Sequence, residues 1–248
     1  MTKAITASRL VGILGGMGPA ATADFYTKLI ELTPATTDQE HLRVVIWADP
    51  TVPSRQDALL SGGTDPTPWL NAGADQLQRC GADILVVPCN TVHGYLPAVM
   101  NEREVEFISI IETTIAAIPA TGTGEPIGLL ATDGALASGI YQDALTAAGY
   151  QVALPSPEQQ QTLMRLVHEV KAGLEGSALR TDLAVVTDSL RTQGVRVAIA
   201  GCTELSTLLD GQADTNGLQV IDPAVELARE TVSRAQAQTT TRNEGPTR

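Results

Sequence analysis

The chain is short of basic residues, of cysteine and of long apolar runs, and each shortage closes off a class of function. Lysine and arginine number 16 against 28 aspartates and glutamates, a formal net charge of -12 over 248 residues. A phosphate backbone repels such a surface, so no nucleic-acid partner is expected, and a polybasic membrane anchor is equally absent. No segment approaches the ~18 apolar residues of a membrane span. The opening "MTKAITASRLVGILGG" runs straight from a short apolar stretch into a glycine turn, without the h-region and cleavage site of a secretory leader. Three cysteines without paired C-x-x-C spacing build neither a disulfide framework nor a zinc site. Reduced thiols and a cytoplasmic location are the expectation.

What the sequence does have is an internal repeat. "VGILGGMGPAATADFY" (Val11–Tyr26) and "IGLLATDGALASGIY" (Ile127–Tyr141) each read as an apolar strand, a small-residue turn and a helix opening that carries a Tyr. "QLQRCGADILVVPCNT" (Gln76–Thr91) matches "SLRTQGVRVAIAGCTE" (Ser189–Glu204) without a gap, pairing Gly81 with Gly194 and Cys89 with Cys202. The Pro/Gly/Thr cluster "IPATGTGEP" (Ile118–Pro126) has linker composition and marks the seam. This predicts an N-terminal α/β domain over 9–118 and a C-terminal one over 119–236, with tails at 1–8 and 237–248. The last helix is expected to pack back on the first domain.

Short continuous apolar runs separated by helical stretches indicate parallel strands covered on both faces. Strands are predicted at Leu10–Leu14, Arg43–Ala48, Ile84–Pro88, Glu106–Ile110, Ile127–Leu130, Gln151–Leu154, Val197–Ala200 and Leu218–Ile221. Helices are predicted at Ala20–Leu32, Trp69–Cys80, Glu158–Ala172, Ser177–Gln193 and Pro223–Gln236. The fold class is α/β, with two pseudo-symmetric parallel-sheet domains. Ligands of such sheets sit at the carboxyl ends of the strands, where Cys89 and Cys202 fall, so the active site is expected between the domains.

A cysteine at a strand end just before a helix is expected to favour the thiolate. A thiol tuned toward neutrality serves as general acid or base. Racemisation needs a base on one face of a tetrahedral carbon and an acid on the other, and two halves that each supply one thiol have that geometry. Cys80 aligns with Gln193, has no duplicated partner, and reads as an inert core residue.

At these residues the sequence resembles the aspartate racemase branch of the aspartate/glutamate racemase family. The resemblance is carried by "GILGGMGPAAT", "PCNTVH", "LLATDGALASGIY", "VKAG", "GCTELS" and the late "IDP", and it runs from about Leu10 to Arg234. It implies racemisation of an acidic amino acid without pyridoxal phosphate, metal or other cofactor, by a homodimer with Cys89 and Cys202 as the proton-transfer pair. It further implies that Met17, Asn90, Thr91, Thr132, Thr203 and Glu204 contact the substrate, and that Arg55 and Lys171 meet its distal carboxylate. The chain departs from the family's T-x-x-T after the fifth strand, carrying Thr132-Asp133-Gly134-Ala135.

Rival readings are other chemistry on the same scaffold, a non-catalytic amino-acid binder, and a nicotinamide oxidoreductase. The first covers a broad-specificity amino-acid or hydantoin racemase, a decarboxylase or a cis–trans isomerase. The last rests on Gly16-Met17-Gly18-Pro19-Ala20-Ala21, which satisfies G-x-G-x-x-G/A. Its acidic residue, about 20 positions on, is missing, since Asp49 closes a strand well beyond that point. His93, one turn after Cys89, reads as a helix-surface histidine; His41 and His168 have no partner visible in the sequence.

Overall fold

The structure, a computed structural model, describes residues 8–101, 103–119, 125–209, 214–215 and 217–237. Apart from Ser8 and Ala237, the expected tails lie outside the described residues, as do 120–124 in the expected seam.

Eight apolar segments form strands where their composition placed them. The first sheet joins β1 (Leu10–Gly15), β2 (Arg43–Ala48), β3 (Ile84–Val86) and β4 (Glu106–Ile108) in the order β2-β1-β3-β4, all parallel. The second joins β5 (Pro126–Ala131), β6 (Gln151–Ala153), β7 (Val197–Gly201), the two-residue β8 (Asp214–Thr215) and β9 (Leu218–Ile221). Its order is β6-β5-β7-β9-β8. Element for element the two orders agree, so β1 corresponds to β5 and β3 to β7. The one antiparallel pairing, β8 on β9, has no counterpart in the first sheet and departs from the all-parallel expectation.

The five long predicted helices are present. They are α1 (Pro19–Leu32), α3 (Thr67–Arg79), α8 (Pro157–Lys171), α9 (Ser177–Thr192) and α11 (Pro223–Gln236). Proline opens α1, α8 and α11 at positions whose N–H has no intrahelical acceptor, and Ser156 with Gln159 closes a capping box on α8. Six shorter helices among the described residues had no predicted bounds, although helix openings were expected after the fifth strand and after Cys202. They are α2 (Arg55–Leu60), α4 (Leu96–Met100), α5 (Ile110–Ala116), α6 (Asp133–Ser138), α7 (Ile140–Ala147) and α10 (Thr203–Leu209).

The repeat extends to the helix ends. Gly81 after α3 and Gly194 after α9 both have φ +84, and each is followed by an N–H that reaches back to the same carbonyl of its helix. These are Ala82 to Leu77 (3.1 Å) and Val195 to Leu190 (3.2 Å). A left-handed residue there lets the chain turn from helix into strand, which only glycine does without strain. Cys80 corrects its expectation. The buried stripe of α3 is Leu70, Gly73, Ala74 and Leu77, and it ends before the C-cap, where Cys80 is exposed.

Three apolar layers hold the sheets. One face of the first sheet packs Leu14, Leu85 and Val87 on α3 and α4, and the outer face of the second packs Leu130, Ala198 and Ala200 on α8, α9 and α10. Between the sheets lies a shared cluster. There Val11, Ile13, Ile84 and Val86 meet Phe25, Leu29, Tyr141 and Leu227, together with Ile127, Leu129, Val197 and Ile199. The last helix, α11, belongs to this layer and lies against α1 and α5. Arg234 and Arg9 both bind Glu106 on β4, and the Arg9 N–H bonds the Ala235 carbonyl. Truncating a fully buried member such as Leu29 to Ala costs roughly 2–5 kcal/mol. The shared layer holds the carboxyl ends of β1, β3, β5 and β7 around one cleft.

Candidate active site

Both cysteines sit in turns of the same build. The Cys89 N–H bonds the Val87 carbonyl and the Cys202 N–H bonds the Ala200 carbonyl, each at 2.8 Å, so each sulfur leaves its strand through a tight three-residue turn. Both side chains are buried. They line one cleft of about 260 Å³, together with Met17, Arg55, Asn90, Thr91, Thr132, Lys171, Thr203 and Glu204. All ten residues singled out in the sequence therefore share one wall or another of the same cavity. Ser54, Gln56, Asp57 and His168 line it as well and were not anticipated as site residues. His168 stands three residues before Lys171 on α8, a helical spacing that puts both on one face and that the sequence did display.

The glycine loop after β1 is fixed by local packing. Thr22 Oγ1 accepts the Gly16 N–H and donates to the Gly18 carbonyl, both at 2.9 Å. A Cβ on Gly16 (φ +91) would lie 2.4 Å from the Asp49 backbone. Asp49 turns its carboxylate to its own chain, accepting from Thr51 N–H (2.8 Å) and Thr51 Oγ1 (2.6 Å). Close backbone packing thus accounts for Gly16 of the apparent dinucleotide fingerprint. Gly18, by contrast, faces the cleft, where its nearest neighbour would be Glu204.

Hydrogen bonds across the cleft join the two halves. Thr91 Oγ1 lies 3.1 Å from Thr132 Oγ1, Gln56 Oε1 accepts the Gly134 N–H at 2.8 Å, and the Tyr141 hydroxyl donates to Asn90 Oδ1 at 2.6 Å. Thr132 also caps α6. Of the residues where the family pattern is broken, Ala135 is buried and Asp133 points away, accepting from Gln160 at 2.7 Å, so its charge does not line the cleft.

Arg55 opens α2 and donates to three carbonyls, those of Val52 (3.2 Å), Pro53 (3.0 Å) and Met17 (3.4 Å). Among the described residues it meets no carboxylate. Lys171, at the end of α8, brings Nζ to 3.8 Å from Glu204 Oε1. The buried Glu204 accepts from the Cys202 thiol at 2.9 Å and from Thr203 Oγ1 at 3.4 Å. Burial first, and then the Glu204 carboxylate, push the Cys202 thiol well above its ordinary value; Lys171 and the helix-start N–H of Glu204 pull the other way. The expected thiolate-favouring turn is therefore not what surrounds Cys202, because desolvation and a like charge outweigh the helix start.

His93 also departs from its expectation. It is buried, its Nε2 accepts the Ile110 N–H (3.3 Å), and its Nδ1 lies 2.8 Å from the Cys89 carbonyl. Since Nε2 accepts, the proton sits on Nδ1 and the ring donates to Cys89. Burial brings its pKa down to about 4, against the opposing pull of that bond, so the ring is neutral. It props the backbone of the cysteine turn rather than facing solvent. Among the described residues no three His, Cys, Asp or Glu side chains gather as a metal-ligating group.

The Asp/Glu/hydantoin racemase family model matches residues 14–231. A broad specificity amino-acid racemase of Bacillus subtilis is 28% identical over 233 residues, covering 90% of this chain and 97% of that protein. The solved aspartate racemase of Picrophilus torridus superimposes with a TM-score of 0.81 at 30% identity, covering 92% of this chain and 94% of that one. A glutamate racemase from Francisella tularensis, solved in complex with D-glutamate, shares the fold with a TM-score of 0.65 at 12% identity, over 92% and 81%. On the family match across most of its length, the chain belongs to the Asp/Glu/hydantoin racemases, a family of isomerases.

Proposed function

We propose that the protein racemises an acidic amino acid, aspartate first, by proton transfer between Cys89 and Cys202 across one bound substrate, without pyridoxal or metal. The observation that carries this reading is the pair of matching cysteine turns, one from each half, opening on one cleft. In the resting site the Cys202 thiol is held protonated by its surroundings, so it serves as the acid, and Cys89, from the other half, serves as the base. Loss of the α-proton to Cys89 and its replacement from Cys202 inverts the carbon. The reverse reaction begins with the roles exchanged. Negative charge building on the substrate carboxylate is met by donors already oriented at the strand ends, including Asn90, Thr91 and Thr203, which is where fixed dipoles lower a barrier most.

The acidic substrate is supported by Arg55, whose guanidinium has no carboxylate partner among the described residues, by Lys171 on the lining of the same cleft, and by the likeness to an aspartate racemase. A broader specificity is the second reading. It is favoured by the carboxylates of Asp57 and Glu204, which balance those two cations, and by the likeness to a broad specificity racemase. No helix among the described residues is long and apolar enough to cross a membrane. Cytoplasmic location and a homodimer complete the proposal, on the three free thiols and the family resemblance.

The test is a panel of D- and L-amino acids in heavy water, following deuterium at Cα, with and without a thiol alkylator. Aspartate should exchange fastest, iodoacetamide should abolish exchange, and excess aspartate should protect the enzyme from it. Exchange that survives complete alkylation of Cys89 and Cys202 would remove the thiols from the mechanism.

A further inference from the structure

We infer that Tyr141 is a positioning residue for this cleft: its hydroxyl, reaching over from the second half, holds the Asn90 amide so that the NH2 group is presented to the substrate carboxylate. The inference rests on the racemase reading above and adds a residue that lies outside the cleft lining. Tyr141 opens α7 and is fully buried in the layer between the sheets. Its ring belongs to that apolar cluster, where a phenylalanine would fill the same space. The hydroxyl needs another reason, because a buried hydroxyl without a partner is costly. The Thr114 side chain also lies against it, and the acceptor of its own proton is Asn90 Oδ1 at 2.6 Å.

Asn90 follows Cys89 directly, lines the cleft and is itself buried. Its Nδ2 is buried with no partner among the described residues. An asparagine amide has two orientations that exchange a donor for an acceptor, and a bound carboxylate accepts only from the NH2 group. The phenol selects between them. Burial, the largest influence on Tyr141, pushes its ionisation upward, so it remains a donor through the working pH range and requires an oxygen opposite it. With Oδ1 committed to Tyr141, Nδ2 is left for the cleft, and the missing partner of this buried donor is the ligand the cleft binds.

The repeat sharpens the assignment. Tyr26, which aligns with Tyr141, is partly exposed and lines a separate groove with Ile30, Leu42 and Val44. Thr203 stands in the second half where Asn90 stands in the first. The tyrosine–asparagine pair therefore exists once, and it gives the substrate carboxylate a fixed end of the cleft.

A double-mutant cycle of Tyr141→Phe and Asn90→Ala, read as KM and kcat separately for aspartate, tests this. Tyr141→Phe should raise KM about tenfold, the worth of one oriented hydrogen bond, with a much smaller change in kcat. Asn90→Ala should raise KM at least as much, and adding Tyr141→Phe to it should change nothing further. Effects that multiply in the double variant would assign Tyr141 a structural role and overturn the inference. A substrate-free measurement decides it independently. The Asn90 side-chain amide pair, identified by its disappearance in Asn90→Ala, should shift and broaden in 15N spectra of Tyr141→Phe. An unmoved pair overturns the inference. Absence of any amino-acid turnover by the wild-type protein would count against the racemase reading, and the amide spectra would still settle the role of Tyr141.

Discussion

Behind Cys89 stands a neutral imidazole bonded to the backbone; behind Cys202 stand a carboxylate bonded to the sulfur and a lysine beyond it. The two turns share one backbone, down to the 2.8 Å bond that closes each. Their difference lies at the second residue after each cysteine, Thr91 in one half and Glu204 in the other. Thr91 reaches Thr132 across the cleft, whereas Glu204 folds back on its own cysteine. The repeat thus holds two equivalent positions for sulfur in unlike surroundings, and in the proposed mechanism the one beside Glu204 is the proton donor at rest. A racemase needs that inequality, because a productive cycle begins with one acid and one base.

The largest expected effect lies behind Cys89. Native His93 is neutral with a pKa near 4, whereas an unfolded histidine takes a proton at its ordinary 6.5. Its depressed folded value contributes stability that is full above pH 6.5 and is lost as pH falls toward 4. The loss is about 3 kcal/mol from pH 7 to pH 4. Urea unfolding of the wild type against His93→Gln across that window should show the wild type losing stability more steeply. Parallel curves would mean that His93 is not held neutral.

Next in size is the cation of the first half. Arg55→Ala should lower kcat/KM for aspartate by roughly ten- to a hundredfold, about 1.5–3 kcal/mol for a charge-assisted bond, and leave alanine much less affected. Equal losses for both substrates would make Arg55 a brace for the Met17 loop, whose carbonyl it already holds.

The smallest effect probes Cys202 itself. Glu204→Gln removes the like charge that helps hold the thiol up, so the Cys202 titration should move down and its alkylation at pH 8 should quicken about tenfold. The measurement is iodoacetamide kinetics in a Cys80→Ser, Cys89→Ala background. An unchanged rate would assign the whole elevation to burial and dissolve the contrast drawn between the two turns.

Much of this architecture was legible in the sequence, for identifiable reasons. The predicted strands are short, mostly apolar runs that end in polar or small-residue turns, a signal that survives without tertiary context. The bounds of α2, α4, α5, α6, α7 and α10 were not legible because five to eight residues barely complete one or two turns of a 3.6-residue period. β8 is two residues long and owes its existence to β9 beside it. The cysteines and their neighbours were visible because the repeat duplicates them. His93 was misplaced because a histidine one turn beyond a cysteine carries no mark of which way it faces. Its burial depends on the Ile110 N–H and on Phe107, from a strand and helix further along the chain. The Tyr141–Asn90 bond spans the two halves and was equally out of reach.

One thiol for each face of the substrate can be checked by incubating Cys89→Ala and Cys202→Ala with pure L- or D-aspartate in deuterated buffer and following Cα exchange by NMR. Neither variant should racemise, because half of the relay is missing from each. Each should still exchange the α-proton of one enantiomer, the one that faces the surviving sulfur. On the family resemblance, Cys202, left alone in Cys89→Ala, serves L-aspartate, and Cys89 serves D-aspartate. Opposite preferences in the two variants are the predicted result. A single-cysteine variant that interconverts the enantiomers at near wild-type rate would contradict the claim, since one sulfur cannot reach both faces of a bound substrate.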